Sequence, residues 1–137
     1  MHIAIAIPSQ FQRVKAFFND NLDDQQDAIY SNEFLCPLGI NAAIRRNQMI
    51  VATEHGEIVG ALRFYRKKTQ SIISLYQFAI RGDYRGQGLV KEMLCQLSDS
   101  PIVSLCPVHC SFNSYYLKSG WELHEQNMQF NVWMYHH

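Results

Sequence analysis

The run Gln77-Phe78-Ala79-Ile80-Arg81-Gly82-Asp83-Tyr84-Arg85-Gly86-Gln87-Gly88-Leu89-Val90-Lys91-Glu92-Met93-Leu94 constrains this chain more than any other stretch. Up to Gly82 it is strand-like and apolar, whereas beyond Gly88 the apolar residues Leu89, Val90, Met93, Leu94 and Leu97 recur at helical spacing. A strand, a glycine-punctuated turn and a helix therefore follow one another. Gly86 and Gly88 carry no Cβ, so the backbone can turn sharply there and a ligand can lie against its amides. Those amides open a helix, where unpaired donors and the dipole favour an anion such as a pyrophosphate. Arg85 adds a fixed positive charge beside them.

Spacing discriminates among nucleotide-like readings of this loop. A dinucleotide fold requires a third glycine or small residue, but Lys91 stands there, and about twenty positions on Leu105 and Cys106 replace the acidic residue that would hold a ribose. No Gly-Lys-Ser or Gly-Lys-Thr triplet supports a P-loop. What remains, Asp83-Tyr84-Arg85-Gly86-Gln87-Gly88, resembles the acyl-coenzyme A loop of the GNAT superfamily of N-acetyltransferases. That pattern is Gln or Arg, two free positions, Gly, one free position, then Gly or Ala. Here Asp83 replaces the usual Gln or Arg, Gly82 stands where many members carry proline, and Val90 where a small residue often follows.

A second run, Asn113-Ser114-Tyr115-Tyr116-Leu117-Lys118-Ser119-Gly120-Trp121, is similar to the later signature of the same superfamily: an aromatic-tyrosine pair, three free residues, then glycine and an aromatic. The two motifs occur in the family's order and at its separation. Tyr116 read alone is a packed aromatic whose hydroxyl finds a partner. Read with the upstream loop it is the general acid, because a phenol with a reference pKa of about 10 stays protonated at neutral pH and can supply a proton to a departing thiolate. Tyr115 is expected to pack, Gly120 to end a helix and Trp121 to anchor the core.

The rest of the chain reads in the order of that fold. Ile3, Ile5 and Ile7 are expected on one face of a first strand, which Pro8-Ser9 ends with a helix-capping serine. Phe11, Val14, Phe17 and Phe18 form the stripe of a helix that loses its pattern at Asn19-Asp20-Asn21. Asp23 to Glu33 is acidic and weakly periodic, and Cys36-Pro37-Leu38-Gly39 breaks structure before a short helix through Ala42, Ala43 and Ile44. Met49–Glu54 and Glu57–Arg66 read as strands joined at His55-Gly56, with a third strand from Ser71 to Ile80. Beyond the loop helix come a strand Ile102–Leu105, a helix from His109 to Ser119, and strands Trp121–Glu125 and Met128–Tyr135. The expected class is α/β (α+β), with a mixed, mostly antiparallel sheet of about six or seven strands flanked by helices, in one domain spanning residues 1–137.

By resemblance, the strand before the loop is bulged and splays from its neighbour, so that a pantetheine arm bonds its exposed backbone as an added strand would. Phe78 and Ile80 are the candidates for those main-chain contacts, and Arg85, Gly86, Gln87, Gly88, Leu89 and Val90 for wrapping the pyrophosphate. The function implied is transfer of an acetyl group from acetyl-CoA to a primary amine by direct attack; the alternative is a non-catalytic CoA-binding or protein-interaction domain of the same fold. No acidic residue lies between Ser71 and Ile80, so the amine's proton leaves through water or another side chain. Histidine is the residue type suited to that task, but His109 is read in preference as a capping or solvent-exposed histidine.

Composition excludes other partners. A formal net charge of zero, with 18% charged and 47% hydrophobic residues in 137, gives no general attraction to nucleic acid or anionic membrane. Arg63, Arg66, Lys67 and Lys68 read as a solvated hairpin tip that could also bind an acidic acceptor. The acidic group Asp20, Asp23, Asp24, Asp27 and Glu33 reads as a polar face, with attraction of a cationic amine as the rival reading. Residues 1–7 are too short and too alternating for a signal or membrane segment, and Cys36, Cys95, Cys106 and Cys110 show no paired C-x-x-C spacing, which implies reduced thiols and a cytoplasmic protein. Cys106, His109 and Cys110 cluster without an obvious fourth ligand, so no metal is expected.

Overall fold

The computed structural model describes residues 1–21 and 36–137. The acidic segment Asp23 to Glu33 lies outside them. Among the described residues seven strands form one sheet in the order β1-β2-β3-β4-β5-β7-β6. They are β1 (His2–Ile5), β2 (Met49–Glu54), β3 (Glu57–Arg66), β4 (Ile73–Ile80), β5 (Ile102–Pro107), β6 (Glu122–Gln126) and β7 (Phe130–Tyr135). Every pairing is antiparallel except that of β4 with β5. Among the described residues four helices flank the sheet: α1 (Phe11–Asn21), α2 (Pro37–Arg45), α3 (Leu89–Leu94) and α4 (Asn113–Lys118).

Strands buried on both faces divide their side chains by parity. Met49 and Val51 of β2 join Ala61 and Ala79 beneath Val14, Phe17 and Phe18 of α1 and Ile40, Ala43 and Ile44 of α2. Ile50 and Ala52 turn the other way, with Leu62 and Phe64, against Leu89, Met93 and Leu94 of α3 and against Tyr116, Trp121 and Trp133. The β2–β3 turn has the expected left-handed pair, His55 at φ 53° and Gly56 at φ 79°.

Several boundaries differ from the sequence reading, each for a local reason. The first strand does not bury an isoleucine face: it is an edge strand, Ile5 and Ile7 are exposed, and Ala6 is the buried residue, its amide bonded to Met49 O at 2.8 Å. Ser9 caps nothing. A 3-10 turn over Pro8–Gln10 leads into α1, closed by the Ile7 amide donating to Gln10 Oε1 at 2.9 Å. Pro37 is the first residue of α2, where its missing N–H costs nothing, so Cys36-Pro37-Leu38-Gly39 starts a helix instead of breaking structure. The loop helix is α-helical only to Leu94, and a 3-10 turn over Cys95–Leu97 buries Leu97. The helix expected from His109 is six residues long because Asn113 Nδ2 takes the carbonyls of Pro107 and Cys110, at 2.9 and 2.8 Å, and holds the preceding residues in turns. Gly120, at φ 84°, ends that helix as expected, with the Trp121 amide reaching back to Tyr116 O at 3.1 Å.

Candidate active site

Two features of β4 make an opening in the sheet. Arg63 of β3 faces Gln77 while Phe64 faces Leu75, so Tyr76 is an unmatched residue, a bulge that bends the strand. On its other side β4 pairs with β5 at two positions only, Ile73 with Ile102 and Ser74 with Val103. Beyond Ser74 the two strands part. Arg81 donates its amide to Val59 O on β3, so strand alternation turns the amides and carbonyls of Ile80 and Phe78 away from β3, toward the opening. Arg85 occupies one of these groups, its Nε donating to Ile80 O at 3.0 Å.

At the end of β4 the glycine loop is built by side-chain contacts that the motif does not record. Arg81 meets Asp83 fork to fork, at 2.7 and 3.0 Å, and also reaches Glu57 at 2.9 Å. Asp83 therefore holds the turn, which accounts for its place where the resembled family has Gln or Arg. Tyr84 donates its hydroxyl to Glu54 at 2.6 Å, tying the loop to the end of β2, and Gln87 Nε2 closes it on Asp83 O at 3.1 Å. These bonds hold the Glu54 and Asp83 carboxyls below the usual carboxylate range and push the Tyr84 phenol up, the Tyr84–Glu54 bond acting first in both members of that pair. Gly86 at φ 76° and Gly88 at φ 77° adopt the left-handed conformation, and a Cβ on either would meet no atom within 4 Å. Space next to both glycines is open. Leu89 and Val90 bury their side chains in the core and present only backbone at the helix start.

Tyr116 lies at the vertex of the opening. Its hydroxyl shares a 2.7 Å hydrogen bond with Ser104, the first β5 residue after the last pair with β4. The ring stacks on Trp133 at 5.7 Å and meets Trp121 and Phe78 edge-on at 5.1 and 6.5 Å. Burial pushes the phenol well above its ordinary value, the Ser104 bond acting in the opposite direction, so the hydroxyl keeps its proton throughout the neutral range. Tyr115 packs as expected, its ring 5.5 Å from Phe78 and 5.0 Å from Phe112. The structure thus brings Phe78, Ile80 and Tyr116 to one opening, with Arg85 to Val90 at its loop end. Sequence reasoning missed Ser104, a lone strand serine with no motif around it, and Asn113, whose Oδ1 accepts from Asn131 Nδ2 and Trp133 Nε1 at 2.9 Å each and so fixes α4 to β7.

Other candidates do not join this site. His109 is exposed in a turn while Cys106 and Cys110 are buried, no disulfide joins Cys36, Cys95, Cys106 or Cys110, and among the described residues no group of three His, Cys, Asp or Glu comes together. Arg66 pairs with Asp99 at 2.7 Å. A cavity of about 320 Å³ beside Arg81, between α1 and the β2–β3 turn, has neither Phe78 nor Tyr116 in its lining. Among the described residues no helix is long and apolar enough to cross a membrane.

Known proteins place this geometry in a family. Among solved structures, the PaiA N-acetyltransferase of Thermoplasma acidophilum in complex with coenzyme A superposes with a TM-score of 0.75 over 99% of this chain and 98% of its own, at 11% identity. The diaminobutyrate acetyltransferase EctA of Paenibacillus lautus, in complex with L-2,4-diaminobutyric acid and coenzyme A, gives 0.64 over 97% and 92%, at 16% identity. A GNAT-like decarboxylase, GphF, in complex with isobutyryl-CoA gives 0.77 over 99% of each chain, at 10% identity. No curated protein matches the chain. The acetyltransferase (GNAT) domain family matches residues 20–136, most of the length, and the chain belongs to that family.

Proposed function

We propose that the protein is an N-acetyltransferase that moves an acetyl group from acetyl-CoA to a primary amine by direct attack in a ternary complex, acting as one domain over residues 1–137. The observation that carries this reading is the parting of β4 from β5, with an open glycine turn at one end and the Tyr116–Ser104 pair at its vertex. The residues fit a pantetheine thioester: backbone groups of Phe78 and Ile80 face the opening, and the turn leaves room for phosphate against the amides of Gly86, Gln87, Gly88, Leu89 and Val90. The PaiA and EctA structures, both with coenzyme A, lend the same reading to this chain. A cytoplasmic setting accords with four cysteines that form no disulfide.

Acetyl-CoA supplies a thioester carbonyl open to attack and a thiolate that must leave. Phe78 N–H is the donor that would polarise that carbonyl. Tyr116 gives its proton to the departing sulfur, and the Ser104 hydroxyl donates to the phenolate left behind. The new C–N bond forms as the C–S bond breaks, and the amine's proton leaves through water. Arg85, bonded to Ile80 O, sets a positive charge at the loop end of the cleft.

The test is thiol release from acetyl-CoA with a panel of amines. Tyr116→Phe is expected to lower kcat by about a hundredfold or more while leaving acetyl-CoA affinity within about twofold. Equal turnover in the variant would remove Tyr116 from the chemistry.

A further inference from the structure

Arg63 is a half-buried cation beside the bulge of β4. It stands on β3 one residue before the bulge, directly opposite Gln77. Its guanidinium carbon lies 4.3 Å from the centre of the Tyr76 ring, and Nη1 approaches Gln77 Oε1 at 3.5 Å. From the third side α2 leaves it space: a Cβ on Gly39 would come within 3.2 Å of Nη1, closer than side chains normally pack. The group is half-buried, and Gly39 lets the helix above lie close over it. Among the described residues the ion pairs are Arg66 with Asp99 and Arg81 with Glu57 and Asp83, and no carboxylate lies within ion-pair reach of Arg63.

The position of this cation relative to the opening gives it a role. Gln77 is the chain neighbour of Phe78, whose amide and carbonyl face the opening, and Arg63 pairs with Gln77 across one strand spacing, about 5 Å. Arg63 and Gly39 lie on the α1/α2 side of the sheet, whereas Phe78 and Tyr116 pack on the α3/α4 side. An amine that reaches the thioester across from Tyr116 therefore has its other end over β3 and β4. Tyr65, 40% exposed with its ring 6.3 Å from that of Tyr76, borders the same surface. A guanidinium held on an aromatic face keeps its planar fork oriented, and that fork matches a carboxylate with two parallel hydrogen bonds.

We propose that Arg63 binds the carboxylate of the acceptor, so that the acceptor is a small amino-carboxylate, an amino acid or a close analogue, and not a polyamine. The proposal deepens the acetyltransferase reading and rests on it for the place of the amine. Because one strand spacing separates the cation from the β4 edge, carboxylate and amine sit at the two ends of a small molecule.

The experiment is calorimetric titration of the full chain, with and without saturating coenzyme A, against each of the twenty common amino acids, its amide, and spermidine. At least one amino acid is expected to bind more tightly than its amide by about tenfold or more, as a charge-assisted bidentate pair implies, and Arg63→Met should erase that preference. Arg63→Lys, which keeps the charge and loses the fork, should retain part of it and decides the matter should the methionine variant not fold. Equal binding of acid and amide, tighter binding of spermidine, an undiminished preference in Arg63→Met, or no amino acid bound at millimolar concentration would each overturn the proposal. Coenzyme A binding, recorded in the same samples, reports separately on the acyl-transfer reading: its absence would sink that reading, while an Arg63-dependent preference for the acid would still be visible in the cofactor-free arm.

Discussion

At the scale of single residues, Arg81 holds the loop, and Tyr116 is the residue proposed to carry the chemistry. Arg81 gathers Asp83, Glu57 and the Tyr84 ring, the last at 5.1 Å from its guanidinium carbon. The Asp83 carboxyl lies below its ordinary value because Arg81 donates to it, so its contribution to stability is complete above the unfolded carboxylate pKa, about 4. That contribution is lost as pH falls through the lowered native value. Asp83→Asn should therefore lower the melting temperature slightly at pH 7, and the difference from wild type should close below about pH 4. The pair is exposed, so the shift is small, and a difference that grew on acidification would contradict the sign. Ser104→Ala should reduce kcat by about tenfold, the usual cost of losing a donor to a charged partner, and leave acetyl-CoA affinity unchanged. A loss of cofactor affinity without a kcat effect would give Ser104 a merely structural role.

At the scale of elements, the strands and the loop were legible because their signals are local. His55-Gly56, the Gly86 and Gly88 pair and the stop at Gly120 each declare a backbone conformation through one or two residues, and each has it in the structure. What was not legible depends on which side chain makes a given bond, a choice that composition does not record. Ser9 has the composition of a cap, yet Gln10 does the closing; the helix that carries Tyr116 is short because Asn113 ties itself to Pro107 and Cys110. Tyr116 could be named from its motif, whereas Ser104 could not, since nothing near it in the sequence announces a partner twelve residues away. The closeness of α3 to the sheet likewise depends on Gly60, where a Cβ would come within 3.1–3.2 Å of Ile80, Leu89 and Met93 side chains. Gly60→Ala should destabilise the protein by about 1 kcal/mol, because these neighbours are flexible tips that yield by tenths of an ångström. Chemical denaturation would show it as a lower midpoint at unchanged slope. A rise in stability would mean that the space is less tightly filled than the packing indicates.

At the scale of the whole molecule, one sheet does two jobs. In its first half β1 to β4 are antiparallel neighbours in chain order, and β5, β7 and β6 form a second antiparallel group, joined to the first by the two pairs at Ile73 and Ser74. Both faces are covered, α1 and α2 on one and α3 and α4 on the other, so the parting of β4 and β5 is a cleft through a packed layer and not a frayed edge. Order of elements, cleft, glycine turn and family all agree on a domain of the GNAT acetyltransferase class. The central claim is that this cleft and turn hold an acyl-coenzyme A, and calorimetric titration with acetyl-CoA, free coenzyme A and NADH tests it most directly. Micromolar binding of acetyl-CoA, none of NADH, and loss of binding in Gly86→Val, whose side chain would stand in the open turn at φ 76°, is the predicted result. No binding at millimolar acetyl-CoA, or unchanged affinity in Gly86→Val, would contradict it.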